Sequence, residues 1–164
     1  MTELLMASLP DKPMLGWREW AALPELNIDL IKAKIDTGAR SSAIHAFAIE
    51  PYRKNGQRWV MFAVHPVQKN CEVAVECHAP IKDRRLVSDS GGHKQRRYVI
   101  ETQLILGHSA IRAEMTLTNR DSMLFRLLMG RTAMNTRFVI DPHASYLQGQ
   151  PQAIGQVLDM SAIS

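Results

Sequence analysis

The sequence predicts an all-β fold: a small closed barrel with one short helix. Two observations carry that expectation. Apolar and polar residues alternate with period two along most of the chain, as they do on strands that bury one face. Helical candidates are confined to the stretch around Trp17 to Leu26, where Pro24 keeps any helix short.

Taken in order, residues 1–13 read as a flexible arm, 14–142 as a single domain, and 143–164, polar and short of large apolar residues, as a flexible tail. Trp17 and Trp20 read as a hydrophobic anchor. Ile31, Ala33 and Ile35 face one way on a strand while Lys32 and Lys34 face the other. Cys71, Val73, Val75 and Cys77 alternate with Glu72, Ala74, Glu76 and His78. "YVIETQLIL" (98–106), "GHS" and "AIRAEMTLT" (110–118) form a hairpin around a short glycine-containing turn. The run "LFRLLMG" (124–130) suits a strand buried on both faces. "RTAMN" (131–135) is one helical turn, and "RFVID" (137–141) a last strand.

Composition limits the function classes. Hydrophobic residues make up 46% of the 164 and charged residues 22%, ordinary for a globular chain with a core. Apolar runs such as "WVMFAVHPV" (59–67) are too short to cross a bilayer, and the N-terminus lacks the pattern of a secretory signal, so a cytoplasmic protein is expected. The formal charge is +4, and all of it resides in "KDRRLVSDSGGHKQRR" (82–97), which has six Lys or Arg against two Asp. Such a segment attracts polyanions or acidic peptides. It contains no aromatic residue, so direct nucleic-acid binding by the protein is not expected.

The chemistry centres on "LIKAKIDTGARSSAIHA" (30–46), where a strand ends in Asp36-Thr37-Gly38. A carboxylate fixed at a strand end, followed by a glycine that permits a sharp turn, can act on a trapped water. Two carboxylates about 3 Å apart share one proton, so one acts as base while the other donates a hydrogen bond. The chain has a single Asp-Thr-Gly. A second copy, related by a two-fold axis, must supply the other aspartate.

Downstream, "RLLMGRTAM" (126–134) resembles the second signature of retropepsin-like aspartic proteases, a hydrophobic run followed by Gly-Arg and a short helix. Between the two signatures, "SDSGGHKQRRYVIETQLILGHSAIRAEMTL" is similar to their flap hairpin and the strand pair after it. "KAKIDTGARSSAIHA", "EMTLTNRDSM" and "LLMGRTAM" resemble one bacterial group of single-domain, RimB-like proteins, often labelled ATP-dependent zinc proteases and associated with RimK-type ATP-grasp ligases. The resemblance implies a homodimeric aspartic peptidase with Asp36 as its catalytic carboxylate. Thr37 would bond across the dimer, Gly38 line the cleft, and Gly130 and Arg131 support it. Ala39 lies beside the cleft, and Gly91 and Gly92 sit at the flap tip.

One departure is visible. Retroviral relatives have a second aspartate where this chain has Arg40, leaving Arg131 without its usual partner; Asp141 or an N-terminal acid is a candidate replacement. With Arg40 near the cleft and Arg84, Arg85, Lys94, Arg96 and Arg97 on the flap, the expected substrate is an acidic, glutamate-rich tail of the kind a RimK-type ligase adds to a ribosomal protein. Activity is expected near neutral pH. Rival readings are a dimeric module that holds such a tail, or assists the ligase, without cutting; a nucleic-acid binder; and a zinc hydrolase.

The zinc label finds little support in the residues. There is no His-Glu-x-x-His, and the six histidines are scattered. Cys71 and Cys77 on one straight strand would lie roughly 20 Å apart, too far to share a zinc or form a disulfide. Both fall on the apolar phase and are expected in the core. No metal and no cofactor is expected. His45 is expected to be structural or solvated, and His93 an exposed histidine near the flap tip.

Overall fold

A computed structural model describes residues 11–88, 91–120 and 122–151. Most of the expected arm (1–10) and the end of the expected tail (152–164) lie outside them.

Twelve strands and one helical turn follow in order among these residues. They are β1 (Met14–Leu15), β2 (Arg18–Leu23), β3 (Ile28–Ile35), β4 (Ser42–His45), β5 (Phe47–Lys54) and β6 (Gln57–Val64). Then come β7 (Val75–Pro80), β8 (Asp83–Ser88), β9 (Lys94–Leu106), β10 (Ser109–Thr118), β11 (Leu127–Met129), helix α1 (Arg131–Met134) and β12 (Val139–Ile140). The main sheet runs β10-β4-β11-β3-β2-β9-β8, and β10 also pairs with β9. Six strands therefore close into a ring, and β8 extends from it along the first half of β9. A three-stranded antiparallel sheet, β5-β6-β7, packs Val60, Phe62, Val64 and Cys77 into the same core as the ring.

Period-two burial on β3 is as expected, with Ile31, Ala33 and Ile35 in the core. The hairpin β9–β10 pairs Leu106 with Ser109 around Gly107, whose φ of 56° favours glycine. Each large apolar side chain buried here contributes about 1.5–3 kcal/mol.

The structure corrects four expectations. The helical candidate at Trp17–Leu26 is strand β2 followed by a single 3-10 turn, Pro24–Leu26. Pairing with β3 outweighs local helix propensity there, and an irregular register between Ala21 and Leu23 puts Ala21, Ala22 and Leu23 all in the core. Only Leu127–Met129 of the 124–130 run is strand; Leu124 is exposed and Phe125 packs edge-on against Trp17. Strand β7 begins at Val75, so Cys71 precedes it and is exposed, whereas Cys77 is buried.

The body also extends beyond residue 142. Glu19 is fully buried, and its carboxylate accepts hydrogen bonds from the backbone N–H groups of Gly16 (2.7 Å), Leu147 (2.9 Å) and Gln148 (3.0 Å). Tyr146 stacks on Trp20, and its N–H donates to the carbonyl of Arg18. Residues 144–148, expected in the tail, are thus fastened to β2. A buried carboxylate tolerates desolvation when several donors surround it, and Glu19 has three.

Candidate active site

Asp36 follows β3 directly. Parallel pairing of β3 with β11 sets Ile35 opposite Met129, and the Asp36 N–H donates to the Met129 carbonyl at 2.9 Å. The carboxylate turns back on its own chain: Oδ1 accepts the N–H of Gly38 at 2.9 Å, the usual habit of aspartate in a turn. The side chain is thereby held at the end of a strand that buries Ile31, Ala33 and Ile35 in the core. Asp36 is partly exposed, while Thr37 and Gly38 are exposed.

The loop from Asp36 to Ser41 crosses the start of α1 at very close range. The Ala39 and Arg40 carbonyls accept the N–H groups of Arg131 (2.8 Å) and Thr132 (3.0 Å), which would otherwise be orphans of the helix start. Ser42 Oγ accepts the Gly130 N–H at 3.1 Å. A Cβ on Gly130 would sit 2.5 Å from both the carbonyl carbon and oxygen of Ser41, so this crossing requires glycine. Arg131 Nη1 donates to the Thr37 carbonyl at 3.0 Å. Among the described residues Arg131 has no carboxylate partner, and the Asp141 carboxylate instead accepts the N–H of His143. A backbone carbonyl of the Asp-Thr-Gly loop thus takes the guanidinium.

A groove of about 540 Å³ opens at Asp36. Gly38, Ala39 and Arg40 line it from the loop, Val87, Ser88 and Arg97 from the β8–β9 hairpin, and Thr116, Thr118 and Arg120 from β10 and the residues after it. The guanidinium groups of Arg40 and Arg120 have no hydrogen-bond or ion-pair partner among the described residues. Thr118 Oγ1 is buried without a partner there. A cavity of about 600 Å³ lies elsewhere, lined by Glu25, Trp59, His78, Lys82 and Arg112 among others. Its charges are largely paired with one another, Arg112 with Glu25 at 3.0 Å and Lys82 with Glu101 at 3.1 Å. The smaller groove combines a turn-held carboxylate with two arginines, Arg40 and Arg120, that have no partner among the described residues, and is the better candidate.

The β8–β9 hairpin divides the basic segment between its two faces. Arg85 and Arg97 are directly opposite each other, so they share one face with the Val87–Gln95 pair. Leu86–Arg96, Arg84–Tyr98 and Ser88–Lys94 share the other. Arg97 is buried and lines the groove; Arg84 lies over the Tyr98 ring at 5.3 Å, and Lys94 and Arg96 are exposed. Arg85 is engaged. Its guanidinium donates to Glu114 (2.9 Å) and Asp83 (2.8 Å), which raises its pKa, while Arg85 and then Lys82 hold the Glu114 carboxyl below its usual range. Gly91 and Gly92 are exposed in the connecting turn, where Gly92 has φ 84°. The expected flap residues therefore separate: Arg97 reaches the Asp36 groove, Arg85 anchors the hairpin base, and Arg84, Lys94 and Arg96 lie on the face opposite Arg97.

Thr116, Thr118 and Arg120 are site residues that the sequence reading did not select. The alternation through 111–118 had already placed both threonines off the apolar phase, so the signal existed for them. Arg120 falls beyond the strand, where periodicity carries no information. Its backbone N–H donates to Nδ1 of the buried His45 at 3.0 Å, which fixes the loop that carries it.

For a metal the donor set fits poorly. Among the described residues no group of three His, Cys, Asp or Glu side chains could hold an ion. The Cys77 thiol is pushed up to about 12 by burial and by the nearby Glu76, which disfavours the thiolate a zinc would need. Among the described residues, no helix is long and apolar enough to cross a membrane.

Comparison with known proteins places this geometry. The sequence model of one family, described as RimB-like, retropepsin-like aspartic endopeptidase RimB, matches residues 14–151. The chain is 42% identical over 140 residues to a Shewanella pealeana protein named probable alpha-L-glutamate ligase, covering 85% of this chain and 31% of that one. It is 44% identical over 131 residues to a Desulfotalea psychrophila protein of the same name, covering 80% and 28%. The chain thus spans about a third of the length of the curated relatives it matches. A crystal structure of a Legionella pneumophila protein of unknown function aligns with TM-score 0.69 at 26% identity, over 83% of this chain and 98% of that one.

Proposed function

Because this chain belongs to the RimB-like family of retropepsin-like aspartic endopeptidases, we propose that it is an aspartic peptidase acting as a homodimer on acidic, glutamate-rich peptide tails. One observation carries the reading: Asp36 is held by its turn at a groove in which Arg40 and Arg120 have no counter-ion among the described residues.

Two Asp36 carboxylates facing across a two-fold axis would share one proton. The ionised one takes a proton from water as the water oxygen bonds to the scissile carbonyl carbon. The protonated one donates its hydrogen bond to the carbonyl oxygen. Collapse of the tetrahedral adduct breaks the C–N bond, and the departing amine accepts a proton from the dyad. Exposure of Thr37 and Gly38 supports the reading, since that part of the loop is open to a second copy. Arg40, Arg97 and Arg120 would receive substrate carboxylates. The ligase name of the relatives supports the substrate class, because a ligase that adds glutamate makes such tails. On this reading a ligase of that kind, or the ribosomal protein that a RimK-type ligase modifies, is a partner.

A second reading is a module that holds the tail for a ligase without cutting it. The coverage of only about a third of ligase-named proteins favours it. Digestion of a glutamylated peptide, followed by mass spectrometry, separates the two. The peptidase reading expects Asp36→Asn to abolish cleavage while tail binding and the sedimenting dimer persist. Failure of the wild type to cut, with binding intact, rejects it in favour of the module.

A further inference from the structure

Strands β2 and β3 turn a row of cations outward near the Asp36 groove. Their antiparallel register sets Arg18 opposite Lys34 and Trp20 opposite Lys32, so these four share one face, while Ala21, Ile31 and Ala33 enter the core. Glu19, the one acid of β2, is on the buried side, where backbone N–H groups hold it. Lys34 is exposed, and Arg18 and Lys32 are half-buried. None of the three has a carboxylate partner among the described residues. Like charges directly opposite repel, so Arg18 against Lys34 is a destabilising pair until an anion arrives from elsewhere.

Aromatic rings hold two of these cations in place without neutralising them. Arg18 Cζ lies 4.5 Å from the Trp17 ring centroid and 5.0 Å from that of Tyr146, and its Nε donates to Ser145 Oγ at 3.2 Å. Lys32 Nζ lies 5.1 Å from the Trp20 centroid and 5.9 Å from that of Tyr146. A guanidinium packed on ring faces keeps its N–H edge for a carboxylate and is ordered before the ligand comes. The face also connects with the candidate site. A second groove, of about 490 Å³, is lined by Trp17 and Lys34 and shares Arg120, Met123 and Leu128 with the Asp36 groove. Trp17 is thus both a wall of this second groove and the platform of Arg18.

We propose that Arg18, Lys32 and Lys34 form an exosite for the part of an acidic peptide tail that extends beyond the Asp36 groove. Positions two apart on a strand are separated by roughly 7 Å, which is the spacing of Lys32 and Lys34 and equally of alternate glutamates in an extended tail. A tail already seated at the groove meets these cations as an intramolecular event, so modest contacts lengthen its residence. The rings are engaged with each other and with the cations, which favours carboxylates over stacked bases. The inference rests on the acidic-tail reading and extends it: the groove reads the residues around the scissile bond, and the exosite reads the length of the tail.

The test is calorimetric titration of the full chain, carrying Asp36→Asn to prevent cleavage, with glutamate peptides of about four and about twelve residues. The readout is the ratio of the two affinities, because the number of registers in which a longer tail can sit is the same for parent and variant. The longer peptide should bind more tightly to the parent. Arg18→Gln with Lys32→Gln should lower the ratio about tenfold by weakening the longer peptide alone. Arg18→Lys with Lys32→Arg, which keeps both charges, should preserve most of it, and thermal unfolding of each variant checks that the body is intact. The proposal is overturned if the parent binds both peptides equally, or if the glutamine pair leaves the ratio unchanged. It is equally overturned if that pair weakens both peptides alike, or alters the sedimentation of the chain, which would make the face a contact between copies. Displacement of the longer peptide by single-stranded RNA of equal charge more readily than by the unlabelled peptide also overturns it. Failure of the parent to bind either peptide would remove the acidic-tail reading together with the exosite, whereas a bound short peptide with no preference for length removes the exosite alone.

Discussion

Gly130→Ala tests the crossing on which the candidate site is built. The added Cβ would lie 2.5 Å from the Ser41 carbonyl carbon and oxygen and 2.9 Å from the Arg40 carbonyl carbon. All three are backbone atoms, so no rotamer change relieves the contact. Restoring ordinary carbon–carbon separation of about 3.5 Å requires the loop to retreat by roughly 1 Å. Overpacking of that kind costs about 1–3 kcal/mol. The retreat also strains the three hydrogen bonds that join the loop to α1, from Gly130, Arg131 and Thr132, each contributing about 1 kcal/mol. The expected destabilisation is about 2–4 kcal/mol, or about 4–16 °C in the midpoint of thermal unfolding. Because the same loop carries Asp36, a displacement near 1 Å should lower turnover about a hundredfold even at temperatures where the variant is folded. Thermal unfolding by circular dichroism and the rate of peptide cleavage on the same sample measure both effects. A variant within about 0.5 kcal/mol of wild type and with unchanged turnover would refute the argument.

Arg120→Ala should raise KM for a glutamate-rich peptide about tenfold and leave a neutral peptide unaffected, since one exposed charge-assisted bond is lost; equal losses on both peptides would contradict a specificity role. Glu19→Ala should cost about 3 kcal/mol or more in urea unfolding, because the N–H groups of Gly16, Leu147 and Gln148 lose their shared acceptor in a buried site. The Glu114 carboxyl, whose pKa is lowered from 4.5, contributes stability that is fully present above that value and is lost as pH falls through the lower folded-state value. Hydrogen-exchange protection factors in β8 should therefore fall in acid below about pH 4.5, and Glu114→Gln should lose the same protection at neutral pH.

The fold was legible where one face of a strand is buried and the other wet. Ile31-Lys32-Ala33-Lys34-Ile35 declares its register because Lys and Ile have opposite preferences for the core. It was illegible where neighbouring strands bury both faces. In β2, Ala21, Ala22 and Leu23 are consecutive core residues, and a bulge removes the alternation that would have identified the strand. The segment at 144–148 was misread for a different reason. It has few large apolar residues and is retained by a buried carboxylate on a distant strand, an interaction with no local signature.

The candidate site divides along the same line. The Asp36 turn and the Gly130 crossing are backbone devices that demand particular residue types at fixed spacing, so both were visible as motifs. Charge placement was visible only as a sum. Net charge located the basic segment, yet the cleft depends on which cations lack partners, and that is decided by pairing across strands. Glu114 removes Arg85 from the available set, the pleat turns Arg84 and Arg96 to the face opposite Arg97, and Arg120 joins Arg40 from a loop where no periodicity operates. A count of basic residues therefore overstates the flap and understates the groove. Substrate preference should follow the arginines that have no partner among the described residues, so reversing Arg84 and Arg96 should alter acidic-peptide cleavage far less than reversing Arg40 and Arg120.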